Sequence, residues 1–267
     1  MKLWHRALDI ADQTPPDRNR YVDLLRALSI TAVVLGHWIM AAPSFQAGSS
    51  QMQHLLDVQP WSRWLTWVFQ VMPVFFFVGG FSNGVSWDSA KRKQQSYGTW
   101  LDARLRRLLG PAIPLVILWT ALAIVGDLTG VHPEFIRIGS QVSLVPVWFL
   151  AIYFVIVMLV PVSRYCWSRF GLASVVWPCL LAVIGDWAFF NSPYSWLGWF
   201  NFLFIWGGVH QLGYAWQQKK LPDALGAMIV AAIGLAVLIG LTHFGPYPLS
   251  LVGVPSETLS NTTPPKL

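Results

Sequence analysis

The sequence predicts an all-α fold, a polytopic bundle of about seven transmembrane helices, and three observations carry that prediction. The first is composition. Of 267 residues, 55% are hydrophobic and 11% charged, with a mean hydropathy of +0.50, whereas soluble domains carry about a quarter charged residues. The second is run length. Residues 64–87, 108–126, 138–163 and 224–242 hold no Asp, Glu, Lys, Arg or His, and each reaches the roughly 18 residues a helix needs to cross hydrocarbon. The third is the placement of the basic residues. With the N-terminus in the cytoplasm, fifteen of the eighteen Lys and Arg face inward and only Arg63, Arg137 and Lys266 face outward, as the retention of basic loops on the cytoplasmic side requires.

Taken in order, residues 1–20 read as a cytoplasmic lead-in. They mix Asp9, Asp12 and Asp17 with basic residues and lack the apolar centre of a signal peptide. Residues 21–243 form the transmembrane domain, with helices expected near 22–42, 65–86, 108–126, 144–162, 172–190, 195–215 and 223–243. Tryptophans near proposed helix ends, among them Trp61, Trp64, Trp87, Trp100, Trp196 and Trp216, suit an interfacial aromatic belt. Residues 244–267 read as a polar tail. Within the second span, Pro73 and the pair Gly79 and Gly80 bend a helix or admit another backbone closely. Asp186, His210, Gln211 and His243 are isolated polar residues, best read as structural hydrogen bonders or snorkelling groups. Two cysteines, Cys166 and Cys179, suggest neither a disulfide framework nor a metal site. The net charge of +6 is an orientation signal with some affinity for anionic headgroups; it does not indicate nucleic-acid binding.

Two clusters carry chemistry. From Ala27 to Gly48, His37 is the only charged or titratable side chain, and such a group inside a span is by default a functional candidate. It stands eleven residues after Arg26. Eleven residues of helix climb ~16 Å and turn ~1100°, three turns plus ~20°, so Arg26 and His37 share one face at different depths, with Asp23 on the same stripe. The second cluster is Arg104, Arg106 and Arg107 before the third span. Arg104 and Arg107 are three apart and point the same way if a helix begins near Tyr97. Such a planar, permanently charged fork suits phosphate oxygens, although an ordinary basic flank reads the same way.

The stretch 20–26 (RYVDLLR) followed by His37, then 72–81 (MPVFFFVGGF), then 104–111 (RLRRLLGP) resembles the acyltransferase 3 family of membrane O-acyltransferases. Arg26 and His37 resemble its R-x10-H signature, and Arg104 with Arg107 its R-x-x-R signature. The stretches 147–150, 204–214 and 252–265 are also similar, the last two to actinobacterial members, so the likeness covers nearly the whole chain.

The resemblance implies transfer of an acyl group, often acetyl, from cytoplasmic acyl-CoA to a hydroxyl of an extracytoplasmic glycan or lipid, by a multi-pass protein of the plasma (inner) membrane. Acyl-CoA enters as a co-substrate; no permanent cofactor is implied. Hydrocarbon disfavours charge, and neutral imidazole can take a proton from an alcohol attacking a thioester, so His37 is the candidate base. Arg104 and Arg107 would hold CoA phosphates. Arg26 stabilises the donor, orients Asp23 or holds the helix mouth, and these alternatives stay open. The family pattern carries about ten helices, so the tail from 244 reads as a truncated loop, and the absent walls leave room for a second copy or a partner chain. The competing classes are a transporter, with His37 and Asp186 lining a path, and an inactive remnant.

Overall fold

A computed structural model describes residues 2–13, 19–46, 49–130, 136, 140 and 148–254. It is helical, as expected. Among the described residues five helices are long and apolar enough to span a membrane, and a sixth if one bent pair is counted together. The chain therefore folds as a multi-pass membrane bundle.

Helix α1 covers Lys2–Asp12 and α2 Arg20–Met40. The two are tied where the Arg20 guanidinium donates to the Ala11 carbonyl at 2.8 Å. After α2 comes an antiparallel hairpin, β1 (Ala41–Gln46) and β2 (Ser49–His54), in register from Ala41 opposite His54 to Gln46 opposite Ser49. The all-α expectation includes no strands there. Short helical turns over Leu55–Val58 (α3) and Leu65–Val68 (α4) flank a 3-10 turn at Pro60–Trp64. They lead into α5, Val71–Arg92.

Helix α6, Tyr97–Leu109, starts where the Ser96 hydroxyl accepts from the Thr99 amide at 3.2 Å, a serine N-cap satisfying one free helix-end donor. Helix α7, Ala112–Thr129, ends at Gly130, whose φ of 73° is the left-handed geometry a glycine adopts without a steric penalty. Helices α8 (Trp148–Met158) and α9 (Val160–Phe170) meet at a 60° bend. The hydropathy predicts one straight span over 144–162; residues 144–147 lie outside the described residues, and the bend falls before Pro161, which cannot donate to the preceding turn. Helix α10 covers Ala173–Asn191.

The span expected at 195–215 divides into a 3-10 segment, Ser195–Phe200, and helix α11, Asn201–Gln217. The tighter first turns seat Gly198 on Phe189, where a Cβ would lie 2.8 Å from the Phe189 Cβ. Helix α12, Ala224–Phe244, has no buried residue.

The core is the seam between α5 and α11, and glycines make it. A Cβ at Gly80 would collide with the His210 carbonyl oxygen, and one at Gly213 with the Phe77 carbonyl and the Phe81 amide. In lipid, where water expulsion does not drive helices together, such backbone contact supplies the packing. Phe76 stacks on Trp206 beside it, with centroids 4.9 Å apart. At one end Arg164, counted from sequence as a loop cation, is buried and paired with Asp88. It lies 5.0 Å over the Tyr214 ring, and Gln217 donates to the same carboxylate at 2.8 Å.

Residues following α12 fold back onto the bundle. Tyr247 donates to Asp186 at 2.6 Å, Trp67 donates to the Leu249 carbonyl at 2.7 Å, and the Leu251 amide donates to Thr66 at 3.0 Å. Burial, and then the Asp186 carboxylate, push the Tyr247 hydroxyl above the usual phenol range. Residues 255–267, the rest of the expected tail, lie outside the described residues.

Candidate active site

One turn of α5 gathers two of the candidate arginines. Ser82 and Ser86 stand four residues apart and so share a face of the helix. Arg26 of α2 donates to the Ser82 hydroxyl. Arg104 of α6 donates to the Ser82 carbonyl at 3.2 Å and to the Ser86 hydroxyl at 3.1 Å, which also accepts from Trp100 at 2.8 Å. Residues from two helices, α2 and α6, thus meet on two serines of a third.

Arg104 is half-buried. Burial is the main influence on it and lowers its pKa; Tyr153 opposes that shift, and the nearby Arg107 and Arg26 reinforce it. A guanidinium remains a cation at neutral pH regardless. Among the described residues no carboxylate pairs with Arg104. Asp23 lies 3.9 Å from Arg26, both half-exposed, a separation that leaves the ion pair weak. Arg107 is exposed. The fork expected of Arg104 and Arg107 is therefore divided, with one guanidinium turned onto α5 and the other facing out.

His37 sits farther along α2, half-buried, between the exposed Trp38 and the half-buried Gly36. Its Nδ1 lies 2.8 Å from the Val33 carbonyl oxygen. A carbonyl only accepts, so Nδ1 carries the proton, and in the neutral ring the lone pair is on Nε2. That is the tautomer a general base requires. By helix rise the ring stands ~16 Å from Arg26.

Behind the serine turn lies a buried polar string that the sequence did not assemble. Asn83 of α5 contacts the Tyr153 hydroxyl of α8 and Nε2 of His210 of α11, each at 3.1 Å. His210 and Asn83 are almost fully buried. Two signals in the sequence point this way: Asn83 is an amide inside a span, and Tyr153 is the one phenol in an otherwise apolar helix. Neither has a periodicity that reveals its partner.

The other isolated polar residues serve structure. Asp186 accepts from Asn201 at 2.7 Å as well as from Tyr247, and Gln211 accepts from Ser174 at 2.5 Å. Among the described residues no group of three or more His, Cys, Asp or Glu is placed to hold a metal.

A family model described as an acyltransferase domain matches residues 19–264 of the chain. No curated protein matches, and no solved structure does.

Proposed function

Since the chain belongs to the acyltransferase 3 family and is a membrane acyltransferase, we propose that it moves an acyl group, acetyl in the simplest case, from cytoplasmic acyl-CoA to a hydroxyl of an extracytoplasmic glycan or lipid. The observation that carries this reading is the meeting of Arg26 and Arg104 on the Ser82–Ser86 turn, with a base-competent imidazole farther out along α2.

The donor phosphates meet the exposed Arg107 and then Arg104, and the pantetheine arm runs outward past Arg26. The thioester then lies near His37. Nε2 takes the proton of the acceptor hydroxyl as its oxygen attacks the thioester carbonyl. The carbon–oxygen bond forms, the carbon–sulfur bond breaks, and the proton passes from the imidazolium to the departing thiolate. The plasma (inner) membrane, with α1 in the cytoplasm, is the location that fits a cytoplasmic donor and the inward bias of the basic residues.

The test is supply of labelled acetyl-CoA to inside-out vesicles holding the protein, with mass spectrometry of envelope glycans and lipids. A new ester is expected, absent from vesicles without the protein; solute movement in sealed vesicles without acyl-CoA would instead assign a transporter. A second measurement addresses the cations. Neutralising both, Arg104→Gln with Arg107→Gln, is expected to raise KM for acetyl-CoA by ten- to a hundredfold, on the order of two charge-assisted hydrogen bonds. An unchanged KM removes both residues from the donor site.

A further inference from the structure

The serine turn has more donors than acceptors. The hydroxyl oxygens of Ser82 and Ser86 already accept from Arg26, Trp100 and Arg104, and the Ser82 proton goes to the Val78 carbonyl at 2.9 Å. Both guanidiniums retain N–H groups beyond these bonds. The third donor is the Tyr153 hydroxyl, which lies within electrostatic reach of Arg104 and Arg26.

The protonation of that hydroxyl follows from its neighbours. The Asn83 amide nitrogen can only donate, and its two hydrogens serve Tyr153 Oη and His210 Nε2. With Nε2 accepting from that amide, His210 is the Nδ1–H tautomer, and its buried Nδ1 meets no partner among the described residues. Tyr153 Oη, already accepting from Asn83, has its own proton to give, and among the described residues no acceptor meets it. The ring is held on two sides: it lies against Gly79, where a Cβ would stand 2.7 Å from Tyr153 Cε2, and packs edgewise on Phe76 at 5.7 Å. Two cations and an unanswered hydroxyl, with no carboxylate on Arg104, form a site for a ligand that only accepts. A phosphate oxygen has that chemistry and also carries the negative charge that answers two guanidiniums, which the neutral amide carbonyls of pantetheine do not.

We propose that the Tyr153 hydroxyl donates a hydrogen bond to a phosphate oxygen of the bound acyl donor, with Asn83 and His210 as positioning residues that keep its proton free. This rests on the acyl-CoA reading above and adds to it a contact on a third wall of the site, supplied by α8. Removing one charge-assisted bond corresponds to about tenfold in affinity.

The experiment is calorimetric titration of the full chain in lipid nanodiscs with CoA and, separately, with pantetheine, which has the arm without the phosphates. Tyr153→Phe is expected to weaken CoA about tenfold and leave pantetheine unchanged. His210→Leu, which removes the acceptor for Asn83, is expected to weaken CoA similarly, and His210→Gln, which places an oxygen near the position of Nε2, to restore it. This pair decides the matter should Tyr153→Phe fail to accumulate. Equal weakening of CoA and pantetheine overturns the phosphate contact. No change on Tyr153→Phe also overturns it, and means that the Asn83 amide is turned to consume the tyrosine proton. If the unaltered chain binds no CoA at all, the donor reading itself fails, and this contact with it.

Discussion

Replacement of His37 by alanine is expected to lower acyl transfer by about 10² to 10⁴, the usual contribution of a positioned general base, while the protein still inserts and runs as a single species in detergent. The reason is specific to this ring. Nδ1 is committed to the Val33 carbonyl at 2.8 Å, so in the proposed mechanism the lone pair that takes the proton is that of Nε2. His37→Asn provides the sharper comparison: its amide can still donate to the carbonyl but offers no basic nitrogen, so it is expected to be as inactive as alanine. Transfer from labelled acetyl-CoA in vesicles measures both variants. Activity within a factor of a few of the unaltered chain for either one excludes His37 as the base.

The largest loss of stability is expected at Gly80. A methyl group there collides with the backbone carbonyl of His210, and backbone within a helix cannot yield as a flexible side chain can. Overpacking usually costs 1–3 kcal/mol, and here the obstacle is a main chain on the central seam, so Gly80→Ala is expected to lose about 3 kcal/mol or more. The readout is the temperature at which the detergent-solubilised protein loses its monodisperse elution peak. Gly207 is the control on the partner helix α11. A Cβ there meets nothing within 4 Å, and Gly→Ala inside a helix gains roughly 0.5–1 kcal/mol. Equal stability of the two alanine variants would show that α5 and α11 do not touch at Gly80.

The spans were legible because hydrocarbon imposes a minimum length and leaves little room for charge. Residues 173–191 and 224–244 therefore fall within a residue or so of where the hydropathy puts them. What composition cannot show is direction. A straight apolar run across 144–162 gave no warning of the bend before Pro161, because apolarity persists through it. Nor does charge counting separate a flank from a core: Arg164 looks like any loop cation, and Asp88, 76 positions away, with the Tyr214 ring, makes its burial tolerable. The candidate site divides in the same way. The helical interval from Arg26 to His37 is local and was readable. The serines that collect Arg26 and Arg104, and the Asn83 contacts to Tyr153 and His210, join α5 to residues 18 to 127 positions away, and no spacing rule reaches that far. The split of Arg104 from Arg107 was hidden too, because three-residue spacing says which side of α6 they occupy but not how deeply α5 lets each one sink.

Ser82 bonds Arg26 through its side chain and Arg104 through its main chain, so a single residue sets how far apart two like charges are held. When no ligand is present the pair repels, and that repulsion is built into the resting molecule. Polyvalent anions should therefore act as stabilisers of the isolated protein, raising its melting temperature in proportion to the logarithm of their concentration once the site is well occupied. Buffers of low ionic strength, commonly chosen for membrane proteins, would leave this one in its least settled state.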